Sequence, residues 1–202
     1  MLGEPGPHVR QVWVACHGYG FLANDFLHNF EVLNDGSNLV VAPEALHRFY
    51  LYGTNGKIGA SWMTREDRLN EIADYIHYLD TVYSEVMAQL DPEAVRITAL
   101  GFSQGTATAC RWALMGESIV HRLVLWGGDF PMDIDWETGR ERLKDMDLQL
   151  VWGKDDPYIK QANVQQHTGL LKRHGVNFKI KIFNGQHEIE PNTLKTIANQ
   201  GG

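Results

Sequence analysis

The stretch VRITALGFSQGTATACRWALM, residues 95–115, decides the reading of this chain. It opens with an apolar, β-branched run, Val95–Leu100, the composition of a strand covered on both faces. It closes with an alanine-rich run that predicts a helix over Ser103–Met115, with side chains small enough to pack close to a sheet. Between the two stand Gly101, Ser103 and Gly105 in the pattern G-x-S-x-G. That pattern is short and arises often by chance, but the strand before it and the helix after it supply the context of a nucleophile elbow. There a serine sits on a sharp, strained turn. Side chains two positions to either side would collide with strand or helix, so glycine is needed at both. The helix N-terminus then directs its free N–H groups and the positive end of its dipole at the serine.

A serine hydroxyl is a weak nucleophile near neutral pH. It needs a histidine as base, and the histidine needs a carboxylate to hold its tautomer. After a nucleophile elbow the partners follow in the order carboxylate, then histidine. His187 lies in NGQHE, residues 184–188, a loop directly after the strand expected at Asn177–Phe183, and is the candidate base. His167 and His174 fall inside a helix expected at Lys160–His174 and read as solvated positions. For the acid, the strand expected at Leu148–Trp152 runs into GKDDP, residues 153–157. Asp156 is preferred to Asp155 because Pro157 fixes the backbone after it and the turn puts its side chain toward the strand tip. Asp129, Asp133 and Asp135 follow an earlier strand and rank behind it.

Acyl transfer builds negative charge on the carbonyl oxygen, and two backbone N–H groups usually meet it. One belongs to the residue after the nucleophile, Gln104. The other is expected in the loop HGYG, residues 17–20, which follows the apolar strand Gln11–Cys16. Tyr19 would supply it, and His17 would bond loop backbone rather than act as base.

Further strands are expected at Asn38–Ala42 and Arg122–Trp126, and further helices at Arg65–Leu90 and Pro191–Asn199. The long helix carries Leu69, Ile72, Ile76, Leu79, Val82, Tyr83 and Val86 on one stripe. Strands alternating with helices imply an α/β fold with a mostly parallel central sheet. No repeat or linker divides the 202 residues, so residues 1–202 read as a single domain.

The bulk properties narrow the function. A net charge of −7 without a basic run argues against nucleic acid. The first ten residues lack the apolar centre of a secretory signal, and no stretch is apolar for the length of a membrane span. Two cysteines, Cys16 and Cys110, fit a reducing compartment, so a soluble cytoplasmic protein is expected. No Cys/His spacing suggests a metal, and there is no phosphate-binding glycine loop, so no cofactor is expected. For the substrate pocket, the loop 43–64 should overlie the strand ends with Phe49, Tyr50, Tyr52 and Trp62. Residues 126–136 add Trp126, Phe130, Met132 and Trp136, and Trp62 and Phe130 are the chosen substrate-binding candidates.

Taken together, HGYG at 17–20, SW at 61–62, GFSQG at 101–105, GG-x-x-P at 127–131, GKDDP at 153–157 and GQHE at 185–188 resemble the phospholipase/carboxylesterase family of α/β-hydrolases. That group includes acyl-protein thioesterases, and the likeness runs from Val12 to about Ile197. The resemblance implies a compact α/β-hydrolase without a large lid domain. It implies cleavage of small-molecule carboxylic esters or thioesters of small to medium acyl chains, without cofactor, by a monomer or homodimer. In that family the aspartate before proline is the acid, which agrees with Asp156. Two departures stand out. GEPGPH, residues 3–8, is a poor match for the family's preceding strand, so the first edge strands are expected to be missing. The segment 49–67 is longer and richer in glycine than in the eukaryotic thioesterases. The same three side chains would also serve an acyltransferase, and a ligand-binding protein on this fold is the alternative of a different class.

Overall fold

Residues 1–200 are described by the structure, a computed structural model. Along the chain come β1 (Gln11–Cys16), α1 (Ala23–Leu27) with a 3₁₀ turn over His28–Leu33, β2 (Asn38–Val41), β3 (His47–Tyr50) and β4 (Ile58–Ser61). Then follow α2 (Arg68–Met87), β5 (Arg96–Phe102), α3 (Gln104–Met115), β6 (Arg122–Trp126) and α4 (Trp136–Lys144). The chain continues through β7 (Asp147–Gly153), α5 (Gln161–Arg173), β8 (Phe178–Phe183) and α6 (Pro191–Asn199).

All six strands expected from the sequence join one sheet in the order β2-β1-β5-β6-β7-β8, and every neighbouring pair is parallel. Side chains alternate between its two faces. Val14, Ala99, Leu123, Leu125 and Leu148 pack against Leu79 of α2, Trp112 of α3, Leu143 of α4 and Leu171 of α5. Trp13, Leu100, Val124 and Val151 pack on the opposite face against Phe26 of α1, Phe30 of the 3₁₀ turn and Leu194 of α6. Trp13, Trp62, Trp112 and Trp126 are fully buried, and truncating any one of them to alanine would cost about 3–5 kcal/mol. Each indole N–H keeps a partner, in order Asn38 Oδ1 at 3.0 Å, His17 O at 2.9 Å, Asp80 Oδ1 at 2.9 Å and Glu188 O at 2.8 Å.

The chain leaves β1 for β2 on one side, then returns to β5 on the other side of β1. In such sheets ligands bind where the strand order reverses, outside the carboxyl ends. Here that point lies between the ends of β1 and β5, whose register pairs Cys16 with Gly101.

Several expectations are corrected. Helix α2 begins at Arg68 because Asp67 is in the left-handed region at φ 47°, and Leu69 is 77% exposed, so its apolar stripe starts at Ile72. The segment 47–61 folds back as the antiparallel hairpin β3–β4. Strand β8 is an edge, with Lys179, Ile180 and Ile182 exposed, and is not covered on both faces. In place of a preceding edge strand, Leu2 makes one antiparallel bridge to Val40, with bonds of 2.8 and 2.9 Å.

Candidate active site

Ser103 stands between β5 and α3 with φ 55° and ψ −115°. Such a backbone costs on the order of 1–3 kcal/mol and persists only where the surroundings hold it. Ser103 N donates to Trp126 O at 2.9 Å, and Ser103 O accepts from Thr106 Oγ1 at 2.6 Å and Thr106 N at 3.1 Å. A Cβ on Gly101 would drive into the carbonyl of Gly105, and one on Gly105 into that of Cys16. The two glycines of the motif therefore let β1, β5 and α3 close on the turn.

The loops after β7 and β8 are stitched together. Lys154 N donates to Phe183 O at 2.8 Å, and Asp155 N to Gly185 O at 3.0 Å. Trp126 anchors the second loop through Glu188 O. His187 Nδ1 lies 2.7 Å from Asp156 Oδ2, while Asp156 Oδ1 accepts from Tyr158 N at 2.9 Å. Asp156 is buried and Asp155 exposed, which separates the two neighbours. With both carboxylate oxygens accepting, the imidazole proton sits on Nδ1 and Nε2 is the basic atom. Gly127, at φ 63°, leaves room for that ring, since a Cβ there would stand 3.2 Å from it.

Ser103 and His187 line one cavity of about 330 Å³, together with Gly18, Tyr19, Phe21, Phe102 and Tyr158. Among the described residues no hydrogen bond joins the Ser103 hydroxyl to His187, a bond that commonly tightens only when substrate binds. The backbone N–H groups of Tyr19 and Gln104 have no partner among the described residues. Gly18 brings the first loop against Ser103, for a Cβ on it would lie 3.2 Å from Ser103 Cβ.

His17 is fully buried beneath this loop. Its Nε2 accepts from Ala45 N at 3.0 Å, so Nδ1 carries the proton and donates to Gly18 O at 2.8 Å. Burial holds its pKa below the ordinary value against the upward pull of Gly18 and Glu44, so it is a neutral strut. The Gln104 side chain forms a second strut. Its Oε1 accepts from Trp62 N at 3.2 Å, and its Nε2 donates to Met63 O and Ser61 Oγ, each at 3.0 Å.

Trp62 and Phe130 do not line the cavity. Trp62 is inside the core, its indole bonded to His17 O and its ring 5.2 Å from the His17 ring. Phe130 is buried and stacks on Trp136, which stacks in turn on His174. Both contribute packing beneath the loops that form the site. His167 is not solvated either: it is buried with Nδ1 3.4 Å from Asp129 Oδ1. Sequence reasoning missed Phe21, Phe102 and Tyr158 as cavity walls. Phe102 stands directly before Ser103 in G-x-S-x-G, and Tyr158 directly follows Asp156-Pro157, so adjacency to both motifs was the available signal. A second cavity of about 260 Å³ shares Tyr19 and Phe21 and continues past Gly20 to Asp25, Leu51 and Lys57. Among the described residues no group of three or more His, Cys, Asp or Glu is placed to hold a metal ion, and no helix is long and apolar enough to cross a membrane.

Comparison with known proteins bears on the fold and the family. The structure resembles Zea mays acyl-protein thioesterase 2 with a TM-score of 0.75 at 20% identity, covering 99% of this chain and 96% of that one. Esterase PE8 gives 0.73 at 21% identity, with 99% and 96% covered. An uncharacterized protein from Bacillus cereus gives 0.73 at 17% identity, covering 95% of this chain but only 60% of that longer one. Likeness at such identity speaks to the fold, which is that of the α/β-hydrolases. No curated protein matches the chain. The family model for phospholipase/carboxylesterase matches residues 3–200, and the chain belongs to that family.

Proposed function

We propose that this chain is a serine hydrolase that cleaves carboxylic esters, or thioesters, of small to medium acyl chains through an acyl-enzyme on Ser103. The observation that carries this reading is the 2.7 Å contact of His187 Nδ1 with Asp156 Oδ2, on a cavity that Ser103 also lines. The unpartnered N–H groups of Tyr19 and Gln104 supply the matching oxyanion site.

In this mechanism His187 Nε2 takes the Ser103 proton as Oγ attacks the carbonyl carbon. Tyr19 and Gln104 N–H groups hold the oxyanion. The bond to the leaving alcohol or thiol breaks, and His187 returns the proton to it. Water, deprotonated by His187, then attacks the acyl carbon, and Ser103 leaves with the proton as the acid departs. Asp156 fixes the imidazole throughout. No step requires a metal or cofactor. The acyl chain is assigned to the side of Tyr19 and Phe21, because a second cavity of about 260 Å³ continues from those two residues. A cavity of about 330 Å³ sits at the lower end of the usual range for ligand sites, which favours small esters.

The test is hydrolysis of p-nitrophenyl esters from acetyl to long acyl chains by the wild type and Ser103→Ala. Turnover by the wild type alone, greatest for short to medium chains, is the expected result. Turnover of no ester by either protein would overturn the esterase reading.

A further inference from the structure

We infer that Tyr158 is a specificity-determining residue that favours esters whose leaving alcohol carries a flat aromatic ring. The inference rests on the esterase reading above and extends it to the alcohol side of the substrate. The proton that His187 returns must reach the leaving oxygen, so that oxygen lies within about 2.6–3.2 Å of the imidazole. Whatever it bears must rest against the residues walling His187 on the cavity side.

Those residues are Phe102 and Tyr158, each with its ring centroid 4.7 Å from that of His187. Phe102 is buried, and its ring also meets Phe21 and Phe26. Tyr158 is 71% exposed and meets the imidazole edge-on at 62°, with no other aromatic partner among the described residues. Its hydroxyl has no hydrogen-bond partner among them either. The backbone that carries the ring is fixed. Pro157 precedes it, its own N–H is bonded to Asp156 Oδ1, and Ile159 N donates to Asp156 O at 3.3 Å. A stiff turn thus presents one free aromatic face beside the catalytic base, a large contact surface at low entropy cost.

The rest of the cavity matches. Apart from Gly18, Ser103 and His187, its lining is entirely aromatic: Tyr19, Phe21, Phe102 and Tyr158. No aliphatic or formally charged side chain contributes. Rings gain from edge-to-face or offset contact beyond the area they bury, and an aliphatic guest of the same size does not. A cavity of about 150 Å³ can hold benzene, so about 330 Å³ accommodates a ring with an ester beside it.

The experiment compares benzyl acetate with cyclohexylmethyl acetate, which share the acyl group, the carbon count and an alkyl alcohol as leaving group, and differ in flatness. The wild type is expected to prefer the benzyl ester in kcat/KM by about two- to tenfold. Tyr158→Leu brings the ratio close to one, and Tyr158→Phe retains it; both keep the backbone N–H on Asp156. A wild-type ratio of one, or a ratio that survives Tyr158→Leu while both rates fall together, overturns the inference. If p-nitrophenyl acetate is cleaved while the ratio is one, only the role of Tyr158 falls. If the wild type cleaves no ester at all, the esterase reading fails and this inference fails with it.

Discussion

Strand β7 has an aspartate at each end, Asp147 at its first residue and Asp156 just past its last, and the two are used in opposite ways. Asp147 accepts from Arg122 Nε at 3.0 Å, Lys179 Nζ at 2.8 Å and Gln149 Nε2 at 3.0 Å, with Arg96 Nη2 4.0 Å away. Burial pushes its pKa up, but the bonds from Lys179, Gln149 and Arg122 outweigh that and hold it below 3.8. Asp156 instead holds a titratable imidazole and a backbone N–H. The orphan groups at the two ends differ as well. At the amino end they are side-chain atoms without a partner, Gln11 Oε1, Arg96 Nε, Thr98 Oγ1 and Arg122 Nη2, shut inside the fold. At the carboxyl end they are the N–H groups of Tyr19, which lines a cavity, and of Gln104, which follows Ser103 on the same cavity. A carboxylate saturated with permanent cations fastens strands. One paired to a neutral base beside a cavity can take part in moving a proton.

Substitutions at the carboxyl end should therefore cost rate and those at the amino end stability. Ser103→Ala should lower kcat/KM on p-nitrophenyl acetate by roughly 10⁴- to 10⁶-fold. Asp156→Asn should lower kcat by about 10⁴-fold, because an amide donor facing Nδ1 favours the wrong tautomer. Asp147→Asn should leave kcat/KM within a few-fold yet lose about 3 kcal/mol in urea unfolding, since buried Arg122 is left without its counter-charge. The contrast breaks if Asp147→Asn abolishes turnover in a protein that remains folded.

The pH axis tests the amino end through its stability. Asp147 has its pKa depressed by folding, so its contribution to stability is full above the unfolded value of 3.8 and disappears as pH falls through the lower, folded value. The urea midpoint should begin to fall below about pH 6.5, because unfolding lets His17 take up a proton that its buried site refuses, and should fall further below about pH 4 as Asp147 is protonated. In Asp147→Asn that acid drop should be shallower.

What could be read beforehand divides along physical lines. β1 and β6 have the expected bounds, and α6 spans Pro191–Asn199 as expected, because short apolar runs and a proline-started amphipathic segment mark their own limits. Ser103, Asp156 and His187, the side chains proposed as a triad, stand in turns and loops right after strands, where local motifs announce them. The hairpin β3–β4 escaped because His47–Tyr50 is largely exposed and carries no apolar alternation. Helix α4 escaped because Trp136–Lys144 is mostly charged, with only Gly139 and Leu143 buried. Trp62 misled for a different reason. An aromatic in a loop over the strand ends looks like a pocket wall, and only the paired bonds to His17 and Gln104 turn it inward.

Those bonds set the smallest expected effect and test how independent the carboxyl end is of its side-chain struts. Gln104→Ala keeps the backbone N–H proposed for the oxyanion but removes the acceptor of Trp62 N and the donor to Met63 O. A donor left unpaired costs about 1–3 kcal/mol, so stability should fall by that order. Trp62 remains fastened through its indole to His17 O, and His17 through Ala45 N, so the loop carrying Tyr19 should hold its place. The rate should then drop by less than about tenfold, with KM little changed, because the two donors proposed for the oxyanion are backbone atoms on elements pinned elsewhere. Gln104→Glu offers the sharper version. It can still accept from Trp62 N but turns a second acceptor against Met63 O, and should destabilise more than alanine does. A hundredfold loss of kcat in the alanine variant would instead mean that Tyr19 and Gln104 N–H are aligned through the 61–63 segment, which would make the side-chain struts part of the oxyanion site.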